Sequence, residues 1–413
     1  MVKVDLINPI VRWEEPDHPS PPLGLLYLAT ALQKGDIGVE IIDGNTISEE
    51  LFNEKIQTSN ASHVGITSTF FSLESVRKVL NIIPDGKKVT VGGPGISSIL
   101  DKEKFMRELP RIDYLLEGEA EQSYVQLVTS SRPQECIPGL TYYSKEKIAT
   151  NKGLVHTDIN VFPVPNRSFV DMEKYKVYGN ETGMITSRGC PKICTFCDHQ
   201  VAGSSIRYRE SKNIIEEILD IKNVYGFNDI FIFDDFFAAS SRRLESLISI
   251  QKEEGITVGY GASSRVDIIN EKKVNLLAES GCNRIYFGVE SGSQKILDYY
   301  EKGITVEQII KAFSLCHSVG IAPHAFILFG APIEDEKDVA LTYKLLDKIN
   351  PASVDSSIVT PIPGTRLYKE TSDIINHKKL WSLDSRTEGS VYTSLKIDPI
   401  AERKRCLDTY GVK

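Results

Sequence analysis

Residues 183–200 read GMITSRGCPKICTFCDHQ. The first seven residues have the apolar, β-branched character of a strand. The loop that follows places Cys190, Cys194 and Cys197 in a C-x3-C-x2-C spacing with no fourth cysteine nearby. Three thiolates hold three irons of a cubane cluster and leave one iron without a protein ligand. Electron-transfer clusters usually close all four positions with cysteine, so an open position implies that a substrate or cofactor binds there. A structural zinc is the competing reading. It needs a fourth ligand, which His199 would supply, and it usually has paired two-residue spacings.

Working outward toward the C-terminus, five more strand candidates follow: DIFIFDD, TVGYGAS, RIYFGVE, PHAFILFG and SVDSSIVT. Helical patterns alternate with them; Ile214, Ile218, Ile221 and Tyr225 share one helical face after the cysteines. Six β/α units in series predict a partial (β/α)6 barrel over residues 181–375, with its active site at the C-terminal strand ends. Polar or glycine motifs stand at those ends: Asp234 and Asp235, Ser263 and Arg265, Glu290 and Ser291, Gly330, and TPIPGTRLY. Each alone has an ordinary structural reading, such as a helix cap for the Asp pair or a turn for Gly330. Residues 376–413 form a short C-terminal extension.

Toward the N-terminus, VKVDLIN, GVEIID, HVGITS, KKVTVGG and IDYLLEG alternate with helical segments such as LGLLYLATALQK. This pattern predicts a doubly wound, flavodoxin-like (Rossmann-type) α/β domain over residues 1–132, with ligands beyond the C-terminal strand ends. Residues 133–180, with GLTYYSKEKIATN and prolines at 163 and 165, read as a linker with a small hairpin.

Composition sets further bounds. Of 413 residues, 48 are Lys or Arg and 56 are Asp or Glu, a net charge of −8 that argues against a general nucleic-acid binder. No apolar run approaches a membrane span and the N-terminus lacks a secretory signal, so the chain reads as cytoplasmic. Seven cysteines do not form a disulfide framework.

CPKICTFC, with Phe196 before the last cysteine, resembles the motif of the radical SAM superfamily, and the strand-end motifs extend the resemblance across the barrel. The resemblance implies a [4Fe-4S] cluster on the three cysteines. Its open iron would chelate S-adenosylmethionine (SAM), which an external flavodoxin- or ferredoxin-like donor helps convert into a 5′-deoxyadenosyl radical. It further implies SAM contacts from Phe196, Asp234, Asp235, Ser263, Arg265, Glu290, Ser291 and Gly330. RYRES, with Arg207 and Arg209, also matches, and its role stays open between structure and cofactor.

PPLGLLYLA, ITSTFFSLES, VGGPG and LLEGEAEQ resemble the cobalamin-binding branch of that superfamily. This implies cobalamin contacts from Pro22, Leu23, Gly24, Thr67, Ser68, Gly92, Gly93, Glu117, Gly118 and Glu119. The chain lacks the D-x-H-x-x-G pattern that puts a histidine on cobalt, and neither His18 nor His63 has the expected context. The implied activity is methylation of an unactivated carbon, or of phosphorus, on a small metabolite or natural-product intermediate, by way of methylcobalamin and the radical. Two alternatives stand beside it: rearrangement or cyclisation without methyl transfer, and a non-catalytic cobalamin or cluster sensor. A methylthiotransferase would carry a second cysteine triad in the N-terminal domain, where no cysteine precedes Cys136.

Overall fold

The computed structural model describes residues 2–11, 20–145, 147–153, 158–176, 181–198, 203–381, 383 and 390–411. They form two compact units, one from the chain before residue 180 and one from most of the chain after it.

In the first unit β1 (Lys3–Asn8), β2 (Gly38–Asp43), β3 (His63–Thr67), β4 (Lys88–Gly92) and β5 (Tyr114–Leu116) are parallel, in the order β2-β1-β3-β4-β5. That is the flavodoxin-like doubly wound order. Val4, Leu6, Ile7, Val64, Ile66, Val89, Val91 and Leu115 are all buried. Consecutive apolar residues such as Leu6 and Ile7 point to opposite faces, so both faces of the sheet must be covered. Helices Leu23–Lys34, Glu49–Thr58, Leu73–Ile82 and Glu121–Val128 supply that cover. The hairpin of β6 (Leu140–Ser144) and β7 (Lys147–Thr150) joins β5 antiparallel and lengthens the sheet to seven strands. Residues 158–176 pack back on the same unit. Asn166 N–H donates to Thr30 Oγ1 at 2.9 Å, and Tyr175 O–H donates to Asp43 Oδ2 at 2.6 Å.

In the second unit β8 (Glu181–Met184) starts a sheet. A two-residue pair follows, β9 (Ser187–Arg188) with β10 (Arg207–Tyr208), and then β11 (Asp229–Ile232), β12 (Gly259–Ser264), β13 (Cys282–Glu290), β14 (Ala322–Phe329) and β15 (Val354–Ile358). The sheet is parallel and open, ordered β15-β14-β13-β12-β11-β8. It is a partial barrel of six β/α strands. The single strand expected over GMITSRG is divided: the chain leaves the sheet after Met184 and pairs antiparallel with β10. Arg209 directs that exit by donating to the Ile185 carbonyl at 2.7 Å while paired, fully buried, with Glu217. Arg209 is therefore part of the scaffold.

Along β14, Pro323, Ala325, Ile327 and Phe329 are buried under helices, while His324, Phe326 and Leu328 on the other face are half-buried. On that second face Tyr286 stacks on His324 at 4.3 Å between ring centroids and meets Phe231 edge-on. At the N-terminal strand ends Arg284 spans β13 to β11 and β8, pairing with Asp229 at 2.7 Å and with Glu181. A Cβ at Gly261 would stand 2.7 Å from Arg284 Nε, so only glycine leaves Arg284 its path. Helix Pro399–Tyr410 packs on β15, where Arg403 Nε donates to the Ser356 carbonyl at 2.9 Å. Among the described residues no helix is long and apolar enough to cross a membrane.

Candidate active site

Parallel strands deliver their C-terminal ends to one edge, and in the second unit that edge carries the cysteine loop. The loop is held by backbone. Thr195 N–H donates to the Tyr300 carbonyl, and Leu367 N–H donates to the Thr195 carbonyl, each at 2.9 Å. Phe196 meets the ring of Tyr300 edge-on, with centroids 5.0 Å apart. Cys197 N–H closes a turn on the Cys194 carbonyl at 3.1 Å.

Partial burial, with repulsion from Asp235 and Cys194, pushes the half-buried Cys190 thiol up. Protonated thiols make poor ligands, and a cationic metal centre would reverse that preference. No three His, Cys, Asp or Glu converge among the described residues as a single-ion site requires. Thiolates of a cubane sit on separate irons, and the three-thiol loop fits that arrangement. His199, the fourth ligand of the zinc reading, lies outside the described residues.

Arg265 is the polar hub of the edge. Its guanidinium reaches Cys194 Sγ at 3.7 Å, grips Asp267 at 2.9 and 3.2 Å, and donates to the Lys302 carbonyl at 2.5 Å. Lys192, inside the loop, donates to the same Asp267 at 2.9 Å. With two cationic partners, Asp267 titrates below the usual carboxylate range despite its burial.

The acidic pair after β11 divides its work. Asp234 is buried and its carboxylate accepts four hydrogen bonds, from the N–H and O–H groups of Thr186 and Ser187 at 2.5–2.9 Å. It fixes the turn that leads into the cysteine loop. Asp235 is exposed and accepts from Gly189 N–H at 3.3 Å, beside Cys190. Of the two, Asp235 is the carboxylate turned to an accessible side of the edge.

Ser263 is half-buried on β12. Glu290 stands where β13 slips register, at φ +62°, a left-handed conformation that a glutamate adopts at a cost of about 1–3 kcal/mol. It is buried and pairs with the buried ammonium of Lys302. Ser291 is engaged locally, 3.2 Å from Thr342 Oγ1 and accepting from Ser293 N–H at 3.1 Å. Gly330 turns at φ +94°. Its N–H donates to Glu334 Oε2 at 2.7 Å, and Ala331 N–H does so at 3.3 Å. Glu334 is 1% exposed, its second oxygen has no hydrogen-bond partner among the described residues, and burial raises its pKa to about 7. Thr195, Tyr300, Lys302, Leu367 and Glu334 all belong to this edge. Sequence reading missed them, although APIED directly after Gly330 is a short, strand-end-linked signal for Glu334.

The first unit's corresponding edge is made differently. Gly93 turns at φ +93°, and a Cβ there would stand 2.6 Å from the Ser68 carbonyl oxygen; at Gly95 it would stand 2.3 Å from Ser68 Oγ. Ser68 N–H donates to the Gly92 carbonyl at 2.9 Å, and Gly118 N–H donates to Ser97 Oγ at 3.3 Å. The glycines first serve close packing of Thr67 and Ser68 against the loop after β4. Glu117 pairs with Lys102 at 3.1 Å, and Glu119 is buried. Pro22 caps helix Leu23–Lys34, the Pro22 carbonyl accepting from Leu26 N–H at 3.0 Å. Gly24, in its first turn, is exposed, and a Cβ there would meet nothing within 4 Å. His63 opens β3 at the opposite strand end, and His18 lies outside the described residues. The edge carries backbone, hydroxyl and carboxylate groups, and among the described residues of the first unit no histidine lies on it.

Residues 184–346 match the model of the radical SAM superfamily. Over 93% of its length the chain is 32% identical to an uncharacterized methyltransferase of Pyrococcus horikoshii, covering 86% of that protein. The chain belongs to the radical SAM superfamily. It is 27% identical to the anaerobic magnesium-protoporphyrin IX monomethyl ester cyclase of Rubrivivax gelatinosus, across 86% of this chain and 66% of the cyclase. It is 22% identical to the cytidylyl-2-hydroxyethylphosphonate methyltransferase of Streptomyces wedmorensis, across 89% of this chain and 81% of that enzyme. In fold it is similar to the radical SAM methyltransferase TsrM of Kitasatospora setae, with cobalamin and a [4Fe-4S] cluster bound. That match has TM-score 0.77 and 20% identity, covering 90% of this chain and 75% of TsrM. The cobalamin-dependent SAM radical enzyme OxsB is similar too, with TM-score 0.72, 20% identity, and 92% and 56% coverage. As a radical SAM protein the chain is an enzyme, and its strand-end motifs lie on the edge that carries the cysteine loop.

Proposed function

We propose that the protein is a cobalamin-dependent radical SAM methyltransferase acting on an unactivated carbon, or on phosphorus, of a small molecule. The observation that carries this is the three-cysteine loop pinned at the strand-end edge of an open barrel, in a chain that also contains a flavodoxin-order domain. Methyltransferases among its relatives and the cobalamin-bound structures of similar fold support it. When bound, the cluster supplies an electron to SAM, and cobalamin supplies a nucleophilic cobalt that carries a methyl group.

The chain's own residues do the holding. Cys190, Cys194 and Cys197 would bind the cluster and leave one iron open for SAM. Arg265, fixed by Asp267, offers a cation to a carboxylate, and Asp235 offers an anion to an ammonium. Gly330, shaped by Glu334, presents backbone to a flat base, and Glu290 and Ser263 complete the polar rim. In the first unit Thr67, Ser68, Gly92, Gly93 and the Glu117–Glu119 turn would support the corrin amides, with Pro22–Gly24 beside them and no protein histidine on cobalt. An external flavodoxin- or ferredoxin-like protein is the electron donor in this reading. The location is cytoplasmic, where thiols stay reduced.

The cyclase of R. gelatinosus favours a second reading, ring formation without methyl transfer. Product analysis separates the two. Anaerobically reconstituted protein supplied with cobalamin and methyl-labelled SAM should form 5′-deoxyadenosine and S-adenosylhomocysteine in a ratio near one to one, with label in the substrate-derived product. Substrate conversion with 5′-deoxyadenosine alone and no label transfer would replace methylation by cyclisation.

A further inference from the structure

Lys302 lies outside the strand-end motifs, yet it is among the most constrained side chains of the site. It is 8% exposed, and its ammonium is paired with Glu290, itself 6% exposed. A buried ion pair of this kind is costly to assemble and is weak evidence for stability alone. The surroundings show where the pair is directed. The ammonium stands 5.7 Å over the ring of Phe196, the residue directly before Cys197 in the loop. The main chain of Lys302 is held too, since its carbonyl accepts from the same Arg265 that reaches Cys194 Sγ. Gly288 completes the cradle: a Cβ there would meet both Glu290 Oε1 and Lys302 Nζ, at 2.4 and 2.5 Å. The positive end of a fixed charge pair thus faces the cysteine loop.

We propose that Lys302 sets the reduction potential of the cluster held by Cys190, Cys194 and Cys197, with Glu290 and Phe196 fixing where its ammonium stands. This rests on the cluster reading above. In the step concerned, one electron passes from an external low-potential donor into the cluster, no bond changes, and the cluster gains one unit of negative charge. A fixed cation beside it stabilises the reduced form more than the oxidised form. Groups around a cluster that place charge and hydrogen bonds near its sulfurs are known to shift such potentials.

The test is a mediated redox titration of the full-length protein, reconstituted anaerobically and followed by electron paramagnetic resonance, with iron and sulfide assayed on each sample. Lys302→Met should make the cluster about tenfold harder to reduce, a fall of ~59 mV for one electron. Lys302→Arg should keep the wild-type potential, and Glu290→Gln should raise it, because the ammonium loses its counter-charge. Should Lys302→Met fail to accept iron because Glu290 is left unpaired, Lys302→Met with Glu290→Leu removes both charges and should still lower the potential. A full cluster with unchanged potential in Lys302→Met, or in the Lys302→Met and Glu290→Leu double variant, would overturn the inference. So would a loss of SAM affinity at constant potential, which would make Lys302 a SAM ligand instead. Wild-type protein that takes up no iron would overturn the cluster reading, and this inference with it.

Discussion

The two strand-end edges of this chain solve the ligand problem with different materials. In the second unit the edge is built from charged side chains, two held by opposite charges, Arg265 by Asp267 and Glu290 by Lys302, and one, Asp234, by four neutral donors from Thr186 and Ser187. In the first unit it is built from backbone brought close by glycine: Gly93 and Gly95 against Ser68, and Gly118 on Ser97. Charged side chains suit a small zwitterion and a metal cluster, whose recognition depends on placing charge. Glycine and backbone suit a broad ligand, which needs surface and distributed hydrogen bonds more than a few strong ones.

The largest expected effect separates the two edges. Cys194→Ala should reduce iron from about four per chain to background and abolish SAM cleavage, while cobalamin uptake persists. Gly93→Val should do the reverse: it forces a β-branched residue to φ +93° against the Ser68 carbonyl. It should cost the first unit at least 1–3 kcal/mol and abolish cobalamin uptake with iron content intact. Iron assay, corrin absorbance and thermal melts read all three. Parallel loss of both cofactors in both variants would break the contrast.

A smaller effect comes from Glu334. Its folded pKa of about 7 lies above the value near 4.3 expected for an unfolded glutamate, because burial disfavours its charged form. Below about pH 4 both states are protonated and the group costs nothing. As pH rises toward 7 the unfolded chain releases this proton first, so stability falls across that window. The full penalty above pH 7 is about 3–4 kcal/mol. Glu334→Gln keeps an acceptor for Gly330 N–H and should flatten this part of the stability–pH curve, measured by denaturant melts between pH 4.5 and 8. An unchanged slope would show that the carboxylate is solvated.

The smallest effect sharpens the reading of the first unit. Gly24→Leu fills open space and improves helix propensity by up to ~1 kcal/mol, so the melting temperature should hold or rise. Cobalamin affinity should fall about tenfold, or ~1.4 kcal/mol, if the corrin passes beside this turn. Equilibrium binding by absorbance decides it, and unaltered affinity would move the corrin away from Gly24.

Local pattern made much of this legible. Short apolar runs alternating with period-3.6 patterns locate the strands of both parallel series, and the cysteine spacing locates the loop between β8 and β10. What stayed hidden depends on distant pairs. Asp234 reads as a ligand because nothing nearby in sequence shows that Thr186 and Ser187, 48 and 47 residues earlier, consume its oxygens. Lys302 reads as one surface lysine among many until β13 brings Glu290 to it. Thr195 shows no sequence signal, because its role is carried by main-chain hydrogen bonds to Tyr300 and Leu367. Ile185–Arg188 has strand composition, which predicts continued strand where the chain leaves the sheet after Met184. Side-chain donors to one carboxylate outweighed that preference.

Helix Pro399–Tyr410 has a consequence for the handling of the protein. β15 is the last strand of an open sheet, and a bare edge of this kind recruits other chains by backbone pairing. The helix lies along it, with Arg403 occupying the Ser356 carbonyl and Ser356 Oγ donating to the Arg403 carbonyl at 3.4 Å. A chain cut before Pro399 therefore keeps its cysteine loop and its strand-end charges, yet presents a sticky border. Its first fault would be aggregation at high concentration rather than lost chemistry.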